Sequence, residues 1–145
     1  NVVGIAGFAA AAQAAQAELA QGIWDQVTQL RNILEKTLAS EAHTTIFVGE
    51  DNQRLPNTSL FATPGWKGGT QVMQMDLAGF AVSAGSACSS GKVKVSRVIT
   101  AMGLGQDAAQ SAIRVSLGPQ TTEAEVLRFA DVWLTHHRRR INKAA

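Results

Sequence analysis

No proline interrupts the chain between Val3 and Ser40, and Leu19, Ile23, Val27, Leu30, Leu34 and Leu38 recur there every three or four residues. That spacing gathers them on one face of a helix. Alanine dominates the first half of the stretch, where small side chains suit close helix packing. Gly22 interrupts the pattern and costs about 1 kcal/mol relative to alanine, so a bend is expected there.

The pattern then shortens to strands. Thr44 to Val48 is rich in β-branched residues and stops at Gly49; Asn57 to Thr63 is a second strand, stopped by Pro64-Gly65. Gly69 to Leu77 returns to helical spacing through Val72, Met73 and Leu77. Ala81 to Ser83 is a short third strand, and Ala84 to Gly91, with no apolar period, is a loop. Val95 to Met102 predicts a short helix and Ala112 to Leu117 a last strand. Thr122 with Glu125 three residues on forms a capping box, and Val126, Phe129, Ala130 and Trp133 follow at helical spacing. The order predicts an α+β fold, a small sheet covered by helices. Residues 1–40 would be a long connecting helix and 41–145 a small α+β domain.

Composition narrows the class. At 145 residues, 46% hydrophobic and 17% charged, the chain has the length and apolar content of one folded domain. A net charge of +2 gives no reason to expect nucleic acid or membrane as a partner. The basic run Arg138, Arg139, Arg140 and Lys143 reads as a solvated helix end that complements the helix dipole, with a docking patch for an acidic partner as the alternative. The single cysteine excludes an intrachain disulfide and fits a reducing, cytoplasmic compartment. No unbroken apolar run reaches the length of a membrane span. The opening lacks the positive segment of a signal peptide, lacks a methionine and begins inside a helical pattern, as expected of a piece of a longer protein.

The chemistry is concentrated in Ser83-Ala-Gly-Ser-Ala-Cys-Ser-Ser-Gly-Lys92. A structural cysteine normally sits among apolar neighbours. Cys88 instead lies among glycine, serine and alanine between a strand and a helix, which favours an exposed, reactive thiol over an incidental one. A phosphate loop is excluded: five residues separate Gly85 from Gly91, and Val93 stands where the magnesium-binding hydroxyl belongs. His43 and the adjacent His136 and His137 make neither a zinc cluster nor a local base for a cysteine hydrolase, and surface or helix-end roles are expected of all three.

Ala81-Val-Ser-Ala-Gly-Ser-Ala-Cys-Ser-Ser90 resembles the active-site cysteine segment of the NifS/IscS group of cysteine desulfurases. Ser111-Ala-Ile-Arg-Val-Ser-Leu-Gly118 with Thr121-Thr-Glu123, Arg54-Leu-Pro-Asn-Thr58 and the opening Asn1-Val-Val-Gly-Ile-Ala-Gly-Phe8 resemble further signatures of the group, in the same order. The resemblance implies the small carboxy-terminal domain of a fold type I pyridoxal-phosphate enzyme of the class-V aminotransferases. It implies Cys88 as the catalytic nucleophile that holds sulfur from L-cysteine as a persulfide, and Arg114 as the clamp on the substrate carboxylate, a task suited to a bidentate guanidinium. By itself Arg114 also reads as half of a structural ion pair. The Gly-Ser-Ala-Cys-Ser-Ser form resembles the subgroup with a long loop, so Ala84 to Gly91 is expected to be the least ordered internal segment. Arg97 stands where relatives are expected to carry histidine.

The resemblance also implies what this chain lacks. Lys36, Lys67, Lys92, Lys94 and Lys143 do not match the context of the family's cofactor lysine, which lies upstream of the matched signatures. Pyridoxal 5'-phosphate is therefore expected in the complete enzyme and not on this chain alone, which is expected to be inactive by itself. No metal is expected. The implied partners are a sulfur-acceptor or scaffold protein, the missing cofactor-binding domain and a second copy in a homodimer; the pathway would be iron–sulfur cluster or related sulfur assembly. A non-catalytic persulfide carrier or interaction module, and a thiol redox protein, remain the alternatives.

Overall fold

The computed structural model describes residues 1–84 and 95–144. Two helices of equal length open the chain, α1 (Val2–Ala20) and α2 (Ile23–Glu41). They part at Gly22, whose φ of 72° is left-handed and suits glycine, so the expected bend is a break. α2 buries Val27, Arg31, Leu34 and Leu38, the stripe that its period predicts. α1 buries nothing, which corrects the expectation of close packing for the alanine-rich stretch. Val2, Val3, Ile5 and Phe8 stand at least 70% exposed along it. By length and composition α1 is also apolar enough to cross a membrane, at a mean hydropathy of 1.3. A search for unbroken apolar runs misses this, because Gln13 and Gln16 interrupt a run in which alanine carries much of the hydropathy.

Four strands follow: β1 (Ile46–Phe47), β2 (Thr58–Ala62), β3 (Ser83–Ala84) and β4 (Ala112–Ser116). They form one antiparallel sheet in the order β1-β2-β4-β3. Between them lie α3 (Gly68–Leu77), α4 (Arg97–Ala101) and α5 (Gly105–Ser111), and α6 (Glu123–Ala144) closes the chain. The third strand falls two residues later than its apolar signal suggested. α5 is an addition to the expected order: seven residues with no side-chain cap and three small buried positions, Ala108, Ala109 and Ser111, give no readable period.

The alternation of side chains sorts the sheet's two faces. Phe61 and Ile113 pair across β2 and β4 and point into the main core, which α2 and α6 cover with Leu34, Leu38, Phe129, Ala130 and Trp133. Phe61 meets Trp133 edge-on at 5.5 Å and Phe47 at 5.8 Å. On the opposite face α4 and α5 cover only the Ala62–Ala112 end, through Ile99, Ala108 and Ala109. The start of α3 lies hard against β4: a Cβ on Gly68 would come within 2.6 Å of the Ala112 carbonyl oxygen, so that approach needs glycine.

His137 is a correction of another kind, since it is only 2% exposed rather than a surface residue. Four residues after Trp133, it stacks on that indole at 5.2 Å and 9°, with Trp66 on its other flank at 6.0 Å. Burial, and then the Arg140 charge, push its pKa below the ordinary 6.5. The folded state therefore holds this ring neutral where the unfolded chain binds a proton. The stabilisation is present above pH 6.5 and is lost as pH falls below it. Urea midpoints at about pH 7.5 and about pH 5.5 should fall further for the wild type than for His137→Phe. Equal pH slopes in the two proteins would refute this assignment.

Candidate functional site

Among the described residues, the half of the sheet's outer face beyond α4 and α5 carries the candidate residue Arg114. Thr58, Leu60 and Ala62 of β2 share that face with Ala112, Arg114 and Ser116 of β4, because directly opposed residues point the same way. Where α4 and α5 stop, Arg114 is left exposed between two neighbours by register, Leu60 on β2 and Ser83 on β3. Among the described residues its guanidinium has no carboxylate within 4 Å. A structural ion pair would have placed an acid there, so the bland reading of Arg114 finds no support among these residues.

Cys88 and the loop Ala84 to Gly91, apart from Ala84 itself, lie outside the described residues. The anchor of that loop is described. β3 ends at Ala84, and Ser83 is the residue directly opposite Arg114. Opposed Cα atoms of antiparallel strands stand about 4.5–5.5 Å apart. Four peptide steps lead from Ala84 to Cys88, a reach of at most about 14 Å. The strand order thus joins the segment that carries the single cysteine to the strand paired with Arg114.

A second polar arrangement was not foreseen as such. Arg54 forms a two-point ion pair with Glu35 of α2, at 2.8 and 2.9 Å, and the buried Ser59 hydroxyl donates to the same carboxylate at 2.7 Å. Hydrogen bonding to Glu35 raises the Arg54 pKa, so the guanidinium stays charged. Arg31 of α2 donates to the Leu55 carbonyl at 2.7 Å. Together these bonds fasten the turn before β2 to α2 and fix the strand that flanks Arg114. The sequence signal was Arg54-Leu-Pro-Asn-Thr58 itself; its partner 19 residues upstream on a helix leaves no local trace.

The described lysines are Lys36, Lys67 and Lys143. A pyridoxal-phosphate lysine works with a partner for the ring nitrogen and groups that grip the phosphate. Lys36 is exposed on α2, whereas Lys67 and Lys143 open on a groove lined by no carboxylate. Among the described residues no cluster of histidine, cysteine, aspartate and glutamate is placed to hold a metal.

The profile of the family described as aminotransferase class-V matches residues 1–129. The chain belongs to that family. A cysteine desulfurase of Cereibacter sphaeroides is 39% identical over 91% of the chain, which covers 33% of that relative. One of Gluconacetobacter diazotrophicus is 37% identical over the same shares. The chain thus spans about a third of the length of the curated relatives it matches. Among solved structures, a NifS-like protein is similar over 92% of the chain and 32% of its own length, with a TM-score of 0.76 at 30% identity. A NifS-like protein of Rickettsia africae matches 76% of the chain and 28% of its own length, with a TM-score of 0.65 at 29% identity. Both likenesses agree with the α+β architecture, and the family as a whole implies pyridoxal phosphate in the complete enzyme.

Proposed function

We propose that this chain is the carboxy-terminal part of a class-V cysteine desulfurase, supplying the sulfur-accepting thiol and the substrate-carboxylate clamp. The observation that carries the reading is the pairing of Ser83 with Arg114, which joins the Cys88 segment to the strand beside that exposed arginine. Arg114 would grip the carboxylate of L-cysteine through two parallel N–H donors. The Cys88 thiolate would attack the substrate sulfur. A sulfur–sulfur bond forms as the bond from carbon to sulfur breaks; the electron pair stays on carbon, takes up a proton and leaves with alanine. The outer sulfur of the Cys88 persulfide then passes to an acceptor or scaffold protein for iron–sulfur cluster or related sulfur assembly. Residues 41–145 would be the small domain and 1–40 its connector, in a homodimeric, cytoplasmic enzyme.

Pyridoxal phosphate would act from the two-thirds of the relatives' length that this chain does not span. The bare helix α1 supports that division. A 19-residue helix with no buried side chain gains nothing from tertiary packing, and short helices alone are marginal in water. Its exposed Val2, Val3, Ile5 and Phe8 offer apolar surface to such a portion. The chain alone is expected to release no alanine from cysteine, even with the cofactor supplied. Adding a separate cofactor-bearing portion should restore Cys88-dependent release. Turnover by the chain alone at the rate of a complete enzyme would overturn the division.

The clamp has its own test. In a completed enzyme Arg114→Lys should raise the cysteine concentration needed for half-maximal rate by about one to two decades. A point ammonium replaces a fork here, and a charge-assisted bond is worth about 1.5–3 kcal/mol. An unchanged dependence on cysteine would make Arg114 structural.

A further inference from the structure

The basic run that closes the chain is not the uniform solvated end its composition suggests. Arg138 points away from its neighbours and pairs with Glu41 at 3.5 Å and Asp131 at 3.9 Å. His136, Arg139, Arg140 and Lys143 stand at i, i+3, i+4 and i+7, one face of α6, and line a groove of about 530 Å³. Lys67 and Thr70 at the start of α3 line its other wall. Four cations and a histidine thus meet around one cavity whose lining contains no carboxylate. Among the described residues none of the four cations has an acid within 4 Å. Asp107 lines only the adjoining smaller cavity, on which Lys67 also borders.

Like charges held together without acids between them repel, and an anion is what relieves that repulsion. The far wall adds the Lys67 ammonium and the Thr70 hydroxyl. α3 is 10 residues long and begins Gly68-Gly69-Thr70 after Lys67, with no side chain capping it. Arg140 donates to the Gly65 carbonyl at 3.5 Å, while its buried Nε has no hydrogen-bond partner among the described residues.

We infer that the groove between α6 and the start of α3 binds a compact polyanion of the oligophosphate class. Guanidinium, ammonium and hydroxyl groups around one cavity suit tetrahedral phosphate groups, which accept from several directions at once. The polar α6 wall from His136 to Lys143 runs two turns, about 10 Å, and fits linked phosphates rather than a single one. The site lies on α6 and α3, and the inference does not depend on the role of Cys88 or Arg114.

Calorimetric titration of the purified chain with inorganic triphosphate tests it, with a hexaglutamate peptide as a second arm. Triphosphate should bind at a single site with Kd below about 1 mM at low salt and more tightly than the peptide. Arg139→Gln with Lys143→Gln, both exposed positions, should weaken it by at least about tenfold. Arg138→Gln, on the same helix but outside the groove, should change it by less than about twofold. Absence of triphosphate binding, or equal losses in the two variants, would overturn the site. Tighter binding of the peptide would overturn the ligand class and assign the groove to an acidic protein segment.

Discussion

Replacing Cys88 by serine, in an enzyme completed by the cofactor-bearing portion, is expected to abolish sulfur transfer and to leave cysteine binding nearly intact. The two effects separate because the two tasks fall on different residues. In the proposed reaction the carboxylate would be held by Arg114, on the exposed face of β4, and the sulfur taken by Cys88 on the segment that follows β3. A serine hydroxyl is close in size to the thiol but is not ionised near neutral pH and forms no persulfide. Loss of a covalent nucleophile should lower alanine release by at least about a thousandfold. The half-saturating concentration for substrate binding, read from the cofactor's absorbance, should stay within about twofold. Alanine release at the wild-type rate would remove Cys88 from the reaction. Loss of cysteine binding would mean that the thiol also helps to hold the substrate.

The contrast between Cys88 and Arg114 shows what a sequence makes legible. A lone cysteine among glycine and serine announces itself, because that composition is wrong for a buried core. Arg114 sits in a strand of otherwise alternating burial, and its isolation is a property of the sheet. Among the described residues, the stopping point of α4 and α5 and the lack of an acid on β2 or β3 beside it leave the guanidinium exposed. The long helices followed the same rule. α2 and α6 were readable from apolar period and a capping box, and Thr122 and Glu125 do exchange hydrogen bonds at 2.8 to 3.3 Å. α1 was readable as a helix, but its packing was not: alanine serves equally for close contact and for no contact. α5 and the burial of His137 escaped for a shared reason. Seven residues are too few for a period, and one histidine on an aromatic stripe is decided by which rings surround it.

Gln71→Leu is expected to remove about 3–6 kcal/mol of folding stability, a large share of the roughly 5–15 kcal/mol typical of a domain. Gln71 is fully buried on α3 and satisfies three separate parts of the fold. Its Nε2 donates to the carbonyls of Trp66 and Ser111, both at 2.8 Å, and its Oε1 accepts from the Trp133 indole at 3.0 Å. Leucine approximates the volume and makes none of these bonds. Two carbonyls and one N–H would then be buried without partners, at about 1–3 kcal/mol each, with partial relaxation keeping the total below the sum. Glutamate is not a rescue, because it supplies an acceptor for Trp133 but sets its other oxygen against two carbonyls. Urea unfolding followed by tryptophan fluorescence reads the effect from the affected rings, since Trp66 and Trp133 lie in contact at 5.0 Å. A lower midpoint with an unchanged slope is the expected result. A loss below about 1 kcal/mol would mean that the three bonds contribute little beyond what water gives the unfolded chain. The consequence for function follows from position. The Ser111 carbonyl immediately precedes β4, so the bond that Gln71 makes there fixes the start of the strand carrying Arg114. A milder variant, Gln71→Asn, should therefore weaken the grip on the substrate carboxylate at temperatures where the protein is still folded. In a completed enzyme it should raise the half-saturating cysteine concentration by about two- to tenfold without touching any reacting atom.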